Sequence, residues 1–171
     1  MKLQSSVLTA ILFVTSFLGF GSKCHAGDNP FSSPDHIDKS DKVIVYKIRI
    51  SDANSLRTGK LFHNYTIVAE SSEIPFEMRT NLFEIFKRAD PFIELNNKAF
   101  IAPCLFVPII GISFEISGKK VDAVVSFDCQ KIICFDDKSQ ISALEMSKIR
   151  SDLLVQLKTI LPKDEELQSL K

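Results

Sequence analysis

A chain of 171 residues, 45% hydrophobic and 25% charged, has the size and composition of one globular domain and hardly of two. Its 21 basic residues balance 21 acidic ones; a zero net charge argues against a nucleic-acid partner, whose phosphates call for a clustered basic surface. Fourteen Phe and no Trp leave phenylalanine to supply most of the aromatic bulk of any core.

The first 26 residues read as a signal peptide. Lys2 gives a short positive start, residues 7–20 (VLTAILFVTSFLGF) form an uncharged apolar run, and Cys24 and Ala26 are the small residues before a cleavage point. A membrane span needs about 20 apolar residues, more than this run supplies. Charged Lys23 directly before Cys24 disfavours a lipid anchor at that cysteine. The expectation is an exported protein, periplasmic or secreted, with no membrane span in its mature form. That form keeps Cys104, Cys129 and Cys134, and His36 and His63. Residues 27–42 (GDNPFSSPDHIDKSDK) are rich in Pro, Ser, Asp and Gly without an apolar period and read as a flexible leader.

Residues 43–162 are expected to form the single domain. Residues 43–50 alternate as a strand, with Ile44, Tyr46, Ile48 and Ile50 on one face and Lys47 and Arg49 on the other. A polar loop over 51–60 leads to a second strand over 61–69. Ser72 can cap a helix entering at Glu73, with Pro75 tolerated in the first turn. Met78, Leu82, Ile85 and Phe86 recur at helical spacing, and Pro91 ends the helix by Asp90. Residues 91–100 form a loop turning at Asn96-Asn97. Two apolar runs, 101–116 and 121–135, flank Ser117-Gly118-Lys119-Lys120 and read as a hairpin, with a bulge or bend at Pro108 and Gly111. Ser142 and Glu145 look like a capping box for a helix carrying Met146, Ile149, Leu153, Leu157 and Ile160 and ending at Pro162. Residues 163–171 read as a frayed acidic tail. The expected fold is α+β: an antiparallel sheet of about four strands, order β-β-α-β-β-α, with two amphipathic helices packed on it.

Three thiols in an exported chain allow one disulfide and one leftover. With Gly118-Lys119 as the turn centre, Cys104 and Cys129 share a hairpin face but lie on the order of 13 Å apart at strand rise, too far for a bridge. A bend at 108–111 could close that gap. The spacing therefore leaves open a Cys104–Cys129 disulfide, another pairing, or free buried thiols. A thiol nucleophile would need a base, and no spacing links a histidine to a cysteine; His63 reads as a surface or half-buried strand residue. Asp122 and Asp128 share a face about 20 Å apart, too wide for a pair of glycosidase carboxylates, and read as solvated charges. Asp136 and Asp137 lack the oxygen-rich loop that calcium needs. No phosphate loop, dinucleotide fingerprint or zinc pattern is present, so no cofactor or metal site is assigned. Asn64-Tyr65-Thr66 is a glycosylation sequon, relevant only in a eukaryotic secretory pathway.

The run Cys104-Leu-Phe-x-Pro108-x-x-Gly111-x-x-Phe114, then Gly118-Lys119-x-Val121-Asp122, then Phe127-x-Cys129 resembles a loose group of small bacterial proteins, often exported, with no assigned activity. The resemblance covers residues 100–162. A cysteine that such proteins often carry just before Phe-x-Cys is Ser126 here. The resemblance implies a shared fold, not a reaction. With no catalytic set in view, the leading expectation is an exported, non-catalytic binding or structural domain. The alternatives are a small thiol-dependent enzyme or redox protein using Cys104 or Cys129, and a periplasmic inhibitor or immunity-type protein.

Overall fold

The computed structural model describes residues 28–33, 37–39, 41–52, 59–92, 104–137 and 139–171. The signal-peptide reading of 1–26, His36 and the Asn96-Asn97 turn lie outside them. The fold is α+β, with one antiparallel sheet curled into a half-barrel. Its eight strands are β1 (Lys42–Ile50), β2 (Leu61–Phe62), β3 (Tyr65–Glu70), β4 (Asp90–Pro91), β5 (Ile110–Ile116), β6 (Lys119–Ser126), β7 (Lys131–Phe135) and β8 (Gln140–Glu145), in the spatial order β2-β3-β1-β5-β6-β7-β8-β4. The helices are α1 (Phe76–Lys87), α2 (Arg150–Ile160) and α3 (Glu165–Ser169).

The sheet has eight strands where about four are expected, for four reasons. The segment 61–69 is not one strand: His63 sits at φ 53° and turns the chain between β2 and β3. The run 121–135 is broken at Phe127–Gln130, where Gln130 takes φ 49° and its amide donates to the Phe127 carbonyl, so β6 and β7 are separate. Ser142 and Glu145 belong to β8, not to a capping box; β7 pairs with β8 from Lys131↔Glu145 to Phe135↔Gln140, and that ladder overrides the local helical pattern. The short β4 adds a further pairing to β8.

The β5–β6 hairpin forms as expected, but its turn is Ser117-Gly118, both left-handed at φ 52° and 73°, the geometry of a two-residue hairpin turn. Ile116 pairs with Lys119 and Ile110 with Val125. The register differs from the expected one by two residues, so each side chain keeps its face. One face of the sheet carries Val43, Val45, Ile110, Ile112, Phe114, Ala123, Val125, Ile132, Cys134 and Leu144 into the main core, against Leu82, Phe83 and Phe86 of α1 and Leu153 and Leu157 of α2. Of the expected apolar stripes, Leu82, Ile85, Phe86, Leu153 and Leu157 are buried on the helices, Met78 and Ile160 pack half-buried against the core, and Met146 and Ile149 are buried ahead of α2. Helix α1 starts later than expected, with Pro75 at its N-cap and no side-chain cap, and α2 starts at Arg150 after Ile149.

The described parts of both flanking segments are docked rather than loose. In the stretch expected as a flexible leader, Phe31 is buried between Phe83, Phe86 and Phe114. The Asn29 amide donates to the carbonyls of Phe86 and Ala89 at 2.9 Å each and of Lys87 at 3.3 Å, at the C-terminal end of α1, where carbonyls lack a following helical turn. In the tail expected to fray, α3 is capped by Asp164, whose Oδ1 accepts from the Leu167 amide at 2.7 Å, and Leu167 is wholly buried. Lys47, on the helix-facing side of β1, donates to Asp164 at 3.2 Å and Glu166 at 2.5 Å. Those carboxylates let a lysine face the interior side.

Candidate functional site

The second face of the sheet, away from the helices, holds the polar groups of interest. Here Ile48, Phe62 and Val124 form a small buried cluster, with Tyr46, Tyr65, Ile67, Phe106 and Phe135 packed against it. The β2–β3 turn folds over this face. Phe62 lies on Gly111, so close that a Cβ there would be 2.5 Å from the ring, and its ring meets Tyr46 at 4.9 Å and His63 at 5.0 Å. The absence of a side chain at Gly111 makes room for the aromatic ring.

His63 stacks on Phe135 at 4.2 Å, and its Nε2 lies 3.0 Å from Asp122 Oδ2. Lys120 Nζ reaches the same oxygen at 3.0 Å. Asp122 is 3% exposed, so the reading of a solvated charge is corrected for it; Asp128, at the β6–β7 turn, is exposed. Asp122 projects from the face of Val124 and lies opposite Phe135 and Ser113, where water is largely excluded. A carboxylate in that place needs partners, and His63 and Lys120 supply them. Its Oδ1 has no hydrogen-bond partner among the described residues. The hydrogen bond to Asp122 raises the Lys120 pKa. Burial, and then the charge of Glu70, raises the Tyr46 phenol.

This arrangement fastens the β2–β3 turn to the sheet. Among the described residues no hydroxyl or thiol is hydrogen-bonded to His63, and no cluster of three or more His, Cys, Asp or Glu could hold a metal ion. The Asp122 pairing joins positions 59 residues apart, and nothing local announces it. The available signal was the parity of Asp122 with Val124 and Ser126 in an apolar strand.

Cys104 and Cys129 are joined by a disulfide, with Cα atoms 5.7 Å apart. The ideal hairpin distance does not apply, because residues 104–109 precede β5 and Cys129 lies in the β6–β7 turn. The bridge ties that entry segment to the turn. Cys134 is free and wholly buried in the main core; burial pushes its thiol up to about 12. On the opposite side of the molecule a groove of about 370 Å³ runs between α1 and α2, lined by Asn81, Glu84, Ile85, Arg88, Asp152, Val155 and Gln156. The Arg88–Asp152 ion pair, 2.7 Å, crosses it between exposed side chains.

No helix among the described residues is long and apolar enough to cross a membrane. No family model, curated protein or solved structure matches the chain.

Proposed function

We propose that this chain is an exported domain that works by binding rather than by catalysis. The observation that carries the reading is the state of the three cysteines among the described residues. Two are bridged to each other, and the third is wholly buried with its thiol pushed up to about 12. None of them offers a thiolate at neutral pH, which a cysteine nucleophile requires. That weighs against the thiol-dependent enzyme. A disulfide also suits an oxidising compartment, in keeping with the leader-like pattern of residues 1–26.

The test has two arms. Protein recovered from the envelope or medium of its native host should begin at Gly27 or a close neighbour, and immobilised mature protein should retain a stoichiometric partner or ligand from that fraction. In the native state, no cysteine should alkylate faster than a model thiol. An intact Met1 in the envelope fraction would remove the export half. A fast-reacting cysteine would replace the binding half with thiol chemistry. A retained enzyme that loses activity on stoichiometric addition of the protein would narrow the reading to an inhibitor or immunity-type protein.

A further inference from the structure

We infer that the Cys104–Cys129 bridge is a redox-operated clasp, which holds residues 104–109 against the second face of the sheet and which a dithiol can open without unfolding the domain. Three observations carry this. The first is access. Cys104 is exposed, its neighbour Leu105 is 78% exposed, and Cys129 lies half-buried between exposed Asp128 and Gln130. An accessible disulfide is open to thiol exchange in a way that a buried one is not.

The second is how the segment is attached. Among the described residues, 104–108 make no backbone–backbone hydrogen bond. The first such bonds belong to Ile109, whose amide donates to Val125 at 3.2 Å and whose carbonyl accepts from Ile48 at 3.0 Å. Between that root and the bridge, Pro108 is buried next to Ile109 and Val107 is half-buried, and the side chain packed against the cluster of Ile48, Phe62 and Val124 is half-buried Phe106.

The third is that the rest of the fold does not lean on the bridge. Strands β5 and β6 are already joined by an unbroken ladder from Ile110↔Val125 to Ile116↔Lys119, and β6 and β7 by one from Asp122↔Phe135 to Ser126↔Lys131. None of residues 104–108 belongs to the main core. A segment with few apolar contacts and no ladder is where local opening is least costly.

The chemistry balances with a dithiol as reductant. Its thiolate attacks the exposed Cys104 sulfur and expels Cys129 as a thiolate, which takes up a proton. The second thiol of the reagent then closes on its own sulfur in the mixed disulfide and releases Cys104. The protein ends with two thiols and the reagent as a disulfide. Cys134, buried on the other face, takes no part. Opening releases Phe106 and uncovers Ile48 and Val124. The inference concerns how this face is covered and stands independently of what the domain binds.

The chain has no tryptophan, so Phe106→Trp places a single reporter under the clasp. On adding dithiothreitol to the oxidised full chain, acrylamide quenching of that tryptophan should rise at least threefold. Far-UV circular dichroism should stay unchanged, and reoxidation should restore the starting value. In the unsubstituted protein, amide exchange at Ile48 and Ile109 should accelerate at least tenfold on reduction while the amides of α1 and α2 keep their protection. Complete reduction, proved by mass, with no change in quenching or exchange overturns the inference. So does loss of protection throughout the fold, which would make the bridge a global staple, and so does peptide mapping that finds Cys104 and Cys129 unbridged in the oxidised chain. If Phe106→Trp does not fold, the exchange measurement decides alone.

Discussion

The closeness of Phe62 to Gly111 can be tested by a change of sign. A methyl at Gly111 would lie 2.5 Å from Cδ1 and 2.7 Å from Cε1 of Phe62, where carbon pairs prefer about 3.5–4.0 Å. The ring is 6% exposed and held by Tyr46 and His63, so it cannot swing away without losing both contacts. Overpacking of this kind costs about 1–3 kcal/mol. The φ of Gly111 is not left-handed, so alanine can adopt its backbone, and replacing glycine within a strand returns about 0.5–1 kcal/mol. Gly111→Ala should therefore destabilise by about 1–2 kcal/mol on balance. In a Phe62→Ala background the obstruction is gone, and the same substitution should stabilise by about 0.5–1 kcal/mol. The coupling between the two positions is then about 1.5–3 kcal/mol. Urea melts of the four proteins, at constant m, measure it. If Gly111→Ala has the same effect in both backgrounds, to within about 0.5 kcal/mol, the ring does not occupy the place of the missing side chain and the argument fails.

Four further outcomes follow from the packing and the cysteines. Removing the bridge as Cys104→Ser with Cys129→Ser should cost clearly less in denaturant melts than the about 3 kcal/mol that the chain-entropy model assigns to a bridge of sequence separation 25, because the β5–β6 and β6–β7 ladders stand without it and the freed segment regains its own mobility in the folded state; the full loss would make the bridge a global staple and refute the clasp. Leu153→Ala and Leu157→Ala, both wholly buried, should each cost about 2–5 kcal/mol, and a change within about 0.5 kcal/mol would mean that this face of α2 is not core. Leu167→Ala should cost about 2–5 kcal/mol and Lys47→Ala about 1–3 kcal/mol if α3 is docked as described, whereas a loose tail would leave both near zero. Cys134 keeps its proton up to about 12 in the fold but loses it near 8.5 in the unfolded chain. Between those values the unfolded state binds fewer protons, so stability falls as pH rises, by up to about 1.4 kcal/mol per unit. The slope difference between the parent and Cys134→Ala over the mildly alkaline range isolates the effect, and equal slopes would place the thiol in water.

What could be read in the sequence was what is written locally. The alternation of β1, the apolar stripes of α1 and α2, and the hairpin around Gly118 all rest on residues a few positions apart. A turn at Ser117-Gly118 and one at Gly118-Lys119 differ by two residues of register, and side chains keep their faces in both because they alternate every residue. The misreadings share one cause. The segment Ser142–Ile149 fits a helix by its own spacing and becomes strand and turn only because β7 offers a ladder. Phe31 and Leu167 each sit alone in polar surroundings, so no window of sequence weighs enough to mark them as core. Lys47 looked like the outward side of β1, and only the carboxylates of Asp164 and Glu166, far along the chain, make its inward placement tolerable. An ideal hairpin cannot decide the bridge, because the break at Phe127–Gln130 takes Cys129 out of the strand. His63 and Asp122 carried no signal of each other at all.

The two faces of the sheet are closed by different kinds of force, and this bears on where function can reside. The helix face is closed by many interlocking apolar contacts, from Phe31 through α1 and α2 to Leu167. A disturbance there spreads, because close-packed interiors have no slack to absorb it. The second face is closed by a few discrete fastenings: one ring over one glycine, one carboxylate holding a histidine and a lysine, and one covalent bridge. Each can be undone singly while the ladders beneath remain intact. Motion useful for recognition draws on regions with few apolar contacts, since there the opening free energy is small against the global value. The groove between α1 and α2 lies on helices anchored in the main core, so it offers a fixed surface at most. The second face is the part of this molecule that can change its covering and stay folded, and the bridge at its entrance is the fastening that a chemical signal could release.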